Sequence, residues 1–358
     1  MKHILATIAF GLLGIAAFVV LCELLFRALP VSSATKFGYH VDPKIPSYAP
    51  LHDWRYATGW DLRHAQKLRA NNFGFVSAFD FKRDESAVAL IGDSYVESAS
   101  LDAVDRPAAQ LERALAGQRA VYAMGSAGTA LLDYAERIRF AHENFGIHDF
   151  VVLVERGDVR QALCGSGNVH SQCLDPKTLA PRTVTVPDPS PAKRVLRDSA
   201  FAQYLVSQLK IVPGELWQQA FRRSAASVTA VREPQAASGG EAANREASDQ
   251  SMRVVDAVTR VFFERVKPHV TGRLVIVVDS DRDALMRGRA VDDPPRRRFI
   301  ERAREAGAVV VDTEPLFRAH FQQSGLSLDI GPRDGHFNPL GTRLIAIHAA
   351  LALTQPTR

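Results

Sequence analysis

The chain has 358 residues, 46% of them hydrophobic and 23% charged, with a formal net charge of +5. That is ordinary globular composition, enough for one large domain, or for a domain with an insertion and an anchor. The mild basic excess suits a solvated surface or an anionic partner such as an acidic glycan or a lipid surface. No basic stretch is interleaved with aromatics, which speaks against a nucleic-acid partner.

Ile4 to Cys22 is uncharged and apolar but for Thr7. At about 1.5 Å rise per residue it spans roughly 28 Å, close to a bilayer core. Glu23 interrupts it, and Leu24, Leu25 and Phe26 continue it towards Arg27. The run is longer than the core of a cleaved signal peptide, although Ser32-Ser33-Ala34 leaves a weak cleavage site open. Residues 1–30 therefore read as a transmembrane anchor, with residues 4–26 in the membrane. Lys2 and His3 against Arg27 and Lys36 barely decide its orientation by the positive-inside rule.

Residues 31–85 read as a linker and lead-in, irregular through residue 64, with Pro43, Pro46 and Pro50. From there to the C-terminus, residues 86–358 read as one domain. A β/α rhythm opens it. Residues 87–91 form a buried strand, 106–115 a helix, 120–123 a strand, 130–144 a helix and 150–154 a third strand. Residues 159–250 break the rhythm as an insertion. It holds Cys164 and Cys173, four prolines between 181 and 191, an amphipathic helix near 199–223, and a mobile stretch, 230–250. The rhythm resumes with helix 252–266, strand 274–278, helix 294–306, strand 308–311 and helix 339–353. The order predicts a parallel sheet with helices on both faces.

Cys164 and Cys173 enclose a polar loop. An even pair of that kind suits a disulfide in an oxidising compartment, worth roughly 2–3 kcal/mol, with two free thiols as the alternative. The pair lacks a second set of ligands, and His170 stands alone, so neither a metal nor a cofactor is read here.

Two segments carry the chemistry. Gly92-Asp93-Ser94 ends the first buried strand, and Asp334-Gly335-His336-Phe337-Asn338-Pro339 precedes the last helix. A serine hydroxyl needs a base to become a nucleophile, and the imidazole needs a partner that fixes its tautomer. Ser94, His336 and Asp334 are residues of those three types. Together the segments resemble the SGNH/GDSL hydrolase superfamily, and most of all its membrane-anchored bacterial branch, similar to alginate O-acetyltransferase-like proteins. Those relatives also use an Asp-x-His block. The likeness covers roughly residues 65–165 and 270–353, including the Leu68–Phe75 lead-in, read as structural.

The resemblance implies a three-layer, flavodoxin-like sheet, with Ser94 as nucleophile, His336 as base and Asp334 as its orienter. It implies oxyanion donors at the Ser94 N–H, at a glycine of the second block (Gly128, with Gly125 second) and at an asparagine of the third. This chain departs at the third. Arg156-Gly157-Asp158 puts Asp158 where the family has asparagine, and an ionised carboxylate only accepts hydrogen bonds. Either Asp158 is neutral through burial, or a backbone N–H or Arg156 donates instead. Arg282 faces two uses, binding an acidic substrate group or pairing with Asp281 or Asp283. Arg296, Arg297 and Arg298 read as a solvated face, Asp93 as a turn cap and Asn338 as the cap of the last helix.

The expectation is an inner-membrane, single-pass protein with its soluble domain in the periplasm. It would act on O-acyl groups, O-acetyl being the expected one, of a cell-envelope or secreted carbohydrate. The acceptor, water or a sugar hydroxyl, stays open. Polysaccharide-export or acyl-donor membrane proteins are the partners the resemblance suggests. The competing reading is an inactive protein of this fold that binds glycan or assists polysaccharide assembly.

Overall fold

Val88–Gly92, Val121–Gly125 and Leu274–Val278 are buried at every position. Strands hidden on both faces need helices on either side, and parallel pairing brings the crossovers that carry them. The computed structural model describes residues 2–185, 190–209, 211, 240–332 and 334–355. It has that arrangement in the larger of two units.

In chain order, α1 (Lys2–Ala28) precedes two strand pairs, β1 with β2 (Phe37–Asp42, Ile45–Tyr48) and β3 with β4 (Asp53–Thr58, Arg63–Arg69). Then come β5 (Val88–Gly92), α2 (Ser94–Glu97), α3 (Pro107–Ala114), β6 (Val121–Gly125), α4 (Leu131–Phe145), β7 (Asp149–Val154) and α5 (Asp158–Gln161). The insertion carries β8 (Gln172–Leu174), β9 (Pro181–Thr183), α6 (Pro191–Asp198) and α7 (Ala200–Gln203), which runs into a π-helical turn, Tyr204–Gln208. The last third holds α8 (Gly240–Val266), β10 (Leu274–Val278), α9 (Arg282–Met286), α10 (Pro294–Glu305), β11 (Val309–Asp312) and α11 (Thr313–Ser324). It closes with β12 (Asp329–Gly331), β13 (Asp334–Phe337) and α12 (Pro339–Thr354).

The larger unit comprises Lys36–His52, Arg69–Pro187 and Glu241–Arg358. Its five-stranded sheet runs β11-β10-β7-β5-β6, parallel throughout. Successive side chains alternate between faces, and two cores result. Ala89, Ile91, Val152 and Ile276 pack with α4, α8 and α10. Val88, Leu90, Val151 and Val277 pack with α3, α11 and α12. The three-layer α/β fold expected from the sequence is therefore the one found. In strand order this is 2-1-3-4-5, so the order reverses between β5 and β7. Open α/β sheets bind ligands beyond the carboxyl ends of the strands at such a reversal.

The smaller unit comprises Met1–Thr35, Asp53–Leu68 and Asp188–Gly240. In α1, His3–Ala28 has a mean hydropathy of 2.7 and none of it is buried, so it is long and apolar enough to cross a membrane.

Three expectations change. Residues 31–64 are not irregular, because β1 to β3 and the start of β4 lie there; their prolines and short lengths mask the alternation. The stretch 230–250 is helical from Gly240 onward. Its Ala and Glu residues are good helix formers, and that propensity outweighs the low complexity of the segment. Residues 230–239 lie outside the described residues. The helix expected near 199–223 appears as α7 and the π-helical turn, and residues 212–223 also lie outside the described residues.

Candidate active site

The Ser94 junction is built by close packing. A Cβ on Gly92 would lie 2.6 Å from Val96 Cγ2 and 3.1 Å from the Leu153 carbonyl oxygen. A Cβ on Gly125 would lie 2.5 Å from Glu97 N and 2.9 Å from the Asp93 carbonyl oxygen. Only glycines let α2 sit this tightly on the ends of β5 and β6. Asp93 caps α2, its Oδ1 accepting from the Tyr95 N–H at 2.8 Å. Ser94 is the first residue of that helix, so its N–H has no carbonyl partner within it. From below, the fully buried Arg137 donates to the carbonyls of Gly92 at 2.6 Å and Met124 at 3.3 Å, and to Thr129 Oγ1 at 3.0 Å.

The second segment arrives on the β12–β13 pair. Asn338 caps α12 through the Gly341 N–H at 2.9 Å, and its Nδ2 donates to the Ser327 carbonyl at 2.8 Å. His336 Nε2 then lies 2.9 Å from Ser94 Oγ, and His336 Nδ1 lies 2.6 Å from Asp334 Oδ1. The same Asp334 oxygen accepts the His336 backbone N–H at 3.1 Å. The proton therefore belongs on Nδ1, leaving Nε2 free to accept from the serine. Ser94 Oγ is also 3.4 Å from Asp93 Oδ2, a longer contact. The three residues proposed from the sequence are thus in line.

Arg282 does not make the surface pair with Asp281 or Asp283 that the sequence suggested. It is 8% exposed and pairs with Asp329 at 2.8 Å and Asp279 at 3.4 Å, rather than with Asp281 or Asp283. Its guanidinium lies 4.1 Å above the Phe337 ring and 5.5 Å from the Tyr95 ring. It donates to the Gly335 carbonyl, between Asp334 and His336. The Tyr95 hydroxyl donates to that same carbonyl at 2.8 Å, and its ring stands 4.7 Å from the imidazole. Two donors thus hold one peptide of the base-bearing segment. Nothing in the sequence marks Tyr95 for this role beyond its position after the serine.

Charge at the site is dominated by buried acids. Burial raises the pKa of Asp93, Glu97, Glu155 and Asp279. Burial alone would lower His336, but the hydrogen bond and charge of Asp334, with the charge of Asp93, outweigh it and raise the imidazole above its ordinary value. Arg282 opposes that rise.

For Asp158 the sequence left two readings, a neutral buried acid or another donor in its place. It is fully buried, and burial, with Asp93 and Glu155 nearby, raises it well above the ordinary carboxyl value. Yet both its oxygens are engaged, Oδ2 by the Glu155 N–H at 2.7 Å and Oδ1 by the Tyr134 hydroxyl at 2.9 Å. It closes the end of β7 and has the tyrosine beside any proton it carries. Arg156 pairs with Asp281 at 3.2 Å and Asp293 at 3.9 Å. Gly128 has φ +76° and gives its carbonyl to the Val169 N–H at 2.7 Å. Gly125 is the packing glycine described above. Arg296 is buried rather than solvated, donating to the carbonyls of Asp279 at 2.6 Å and Val278 at 3.2 Å where β10 ends.

Cys164 and Cys173 form a disulfide with their Cα atoms 5.0 Å apart. Asp133 fastens that loop, accepting from Ser171 N at 2.8 Å, Ser171 Oγ at 2.9 Å and Gln172 N at 3.2 Å. His170 Nδ1 lies 3.3 Å from the same carboxylate. With Val169 bonded to Gly128, the loop is seated on the β6–α4 connection. Among the described residues no group of three or more His, Cys, Asp or Glu side chains is placed to hold a metal.

A groove of about 1490 Å³ has Asp149, Leu274 and Val309 in its lining. These begin β7, β10 and β11. Ser94 follows the other end of a strand parallel to them, so this groove and the Ser94 site lie at opposite sheet edges.

No protein-family model matches the chain, and no curated protein matches it. Among solved structures it is similar to LAE5, an α/β hydrolase enzyme from the metagenome of Lake Arreo, Spain. The identity is 14%, the coverage 77% of this chain and 99% of that one, and the TM-score 0.36. It is also similar to a member of the lipolytic protein G-D-S-L family from Veillonella parvula. There the identity is 13%, the coverage 75% and 97%, and the TM-score 0.38. Scores this low leave the reading of the site to its own residues.

Proposed function

We propose that the protein is a serine-dependent esterase or O-acyltransferase working through an acyl-serine. The observation that carries this reading is the line from Ser94 Oγ through His336 to Asp334, at 2.9 and 2.6 Å. His336 Nε2 takes the serine proton as Oγ attacks an ester carbonyl. Asp334 stabilises the imidazolium that results. The Ser94 N–H, opening α2, faces no competing carbonyl in its helix and serves as one oxyanion donor; the Gly128 N–H is the second. The imidazolium returns its proton to the leaving alcohol, and the acyl group stays on Ser94. Water then releases the acid, or a sugar hydroxyl takes the acyl group.

The residues support acyl transfer alone. The substrate, an O-acetyl group on a cell-envelope or secreted carbohydrate, rests on the resemblance to the anchored bacterial relatives. So do the polysaccharide-export or acyl-donor partners. A single-pass, inner-membrane protein facing the periplasm is supported by the apolar helix His3–Ala28 and by the disulfide, which suits an oxidising compartment. The test is fluorophosphonate labelling of the full-length protein in detergent, with Ser94→Ala as control, followed by turnover of aryl acetate and acetylated polysaccharide. Labelling confined to Ser94 is expected. A folded protein that neither labels nor turns over sinks the enzyme and leaves the inactive, glycan-binding reading.

A further inference from the structure

We infer that the elements gathered round the last turns of α1 form a foot that rests on the anionic headgroups of a bilayer. This rests on reading α1 as a membrane span.

The span ends among partners from the rest of its unit. Glu23 accepts from Ser199 Oγ at 2.8 Å and from the Ala200 and Phe201 N–H groups at 3.0 Å each, so an acid inside an apolar helix serves as a cap for α7. Phe26 stacks on Tyr204 at 4.2 Å and on Phe201 at 5.8 Å. Arg55 donates to the carbonyls of Arg27 at 3.2 Å and Leu29 at 3.0 Å, in the last turn of α1 and just past it. The Tyr204 hydroxyl donates to the Trp60 carbonyl at 3.0 Å. These contacts fix α7, the π-helical turn and the β3–β4 connection at the depth where α1 leaves the hydrocarbon.

What this assembly exposes is unusual for a surface in water. Trp60 is 73% exposed, Val195 71%, Leu196 58% and Val206 49%. In α6, a 100° step per residue puts Val195 and Leu196 on one face and Lys193, Arg194 and Arg197 on the other. Arg197 donates to the Thr35 carbonyl at 3.2 Å, and Arg27 to the Asp198 carbonyl at 3.3 Å, so α6 too is tied beside the exit of α1. A short helix with an apolar face outward and bases opposite lies in an interface, apolar face down, with its bases at the phosphates. An exposed tryptophan at the same level belongs to the aromatic belt.

Nitroxide labels on the full-length protein in lipid nanodiscs test this. In a Cys22→Ser background, single cysteines replace Ile15, Val195, Leu196 and Arg287, the last two-thirds exposed in the larger unit. Collision rates with oxygen and with a polar nickel chelate report depth. In discs containing phosphatidylglycerol, the Ile15 label should be deep, the Val195 and Leu196 labels shallow but lipid-exposed, and the Arg287 label in water. In phosphatidylcholine alone, nickel collisions at Val195 and Leu196 should rise about twofold or more. Val195 and Leu196 labels that follow Arg287 while Ile15 stays deep overturn the foot. Equal values in the two lipids overturn its anionic preference. An Ile15 label in water overturns the inference by removing the span beneath it, and does so separately.

Discussion

Ser94 and His336 reach the same point by different physics. The serine side is sterically fixed: two glycines let α2 close on two strand ends, and a buried arginine binds the carbonyls beneath it. The histidine side is open, with 31% of the His336 side chain and 22% of Asp334 exposed. It is held by hydrogen bonds and charge, from Arg282 and Tyr95 to the Gly335 carbonyl. On the serine side the polar groups brace a packed junction that the two glycines already close. The β12–β13 pair is only partly buried, so the base rests on the Arg282 and Tyr95 clamp more than on packing.

The largest effect tests whether the two sides act as one unit. Ser94→Ala should lower aryl acetate turnover by about three orders of magnitude or more, and His336→Ala equally. The double variant should lose little further. Multiplying losses in a single-turnover assay would mean that the two residues work independently.

The steric side breaks next. Gly125→Ala forces a Cβ against the α2 backbone and should cost about 1–3 kcal/mol of stability. It should also slow fluorophosphonate labelling although Ser94 is intact. Wild-type melting and labelling would show that α2 is not held as described.

The clamp gives a smaller and different signature. Arg282→Met should lower kcat about 10- to 100-fold with KM little changed, because the base is misplaced while binding is not. The sign of its pH effect follows from charge. His336 must be neutral to act as base, and its raised pKa puts the acid limb of the rate profile above the ordinary histidine value of about 6.5. Arg282 opposes that rise, so removing it should move the limb still higher. A purely structural arginine would lower kcat without moving the limb.

Asp158→Asn should be the mildest change. The folded pKa of Asp158 lies above its unfolded value, so the folded state holds a proton the unfolded state has released. Stability therefore falls as pH rises from the unfolded value towards the folded one. Asparagine removes that fall. Its oxygen can accept from the Glu155 N–H and its amide donate to Tyr134. The variant should melt a few degrees above wild type at pH 8, with the gap closing towards pH 4, and its pH–rate profile should keep the wild-type shape. A reshaped profile with unchanged melting would place Asp158 at the reacting atoms instead.

The sheet is legible in the sequence, because runs apolar at every position, such as Leu274–Val278, are stable only between two helical layers. The sequence also determined which residues are paired by type: Gly-Asp-Ser after a strand, and an acid two residues before a histidine ahead of a capped helix. Both signals are local, written in neighbouring residues. The pairings that the chain order hides are long-range. Arg282 is followed by Asp283 and preceded by Asp281, yet it pairs with Asp279 and Asp329 and binds Gly335. Asp158 stands where an oxyanion donor was expected, yet its two oxygens are taken up by Tyr134 and Glu155. Glu23 interrupts an apolar run for a helix that begins 177 residues later. A charged side chain settles where desolvation is best repaid by partners, and those partners are brought together by the fold rather than by the order of the chain.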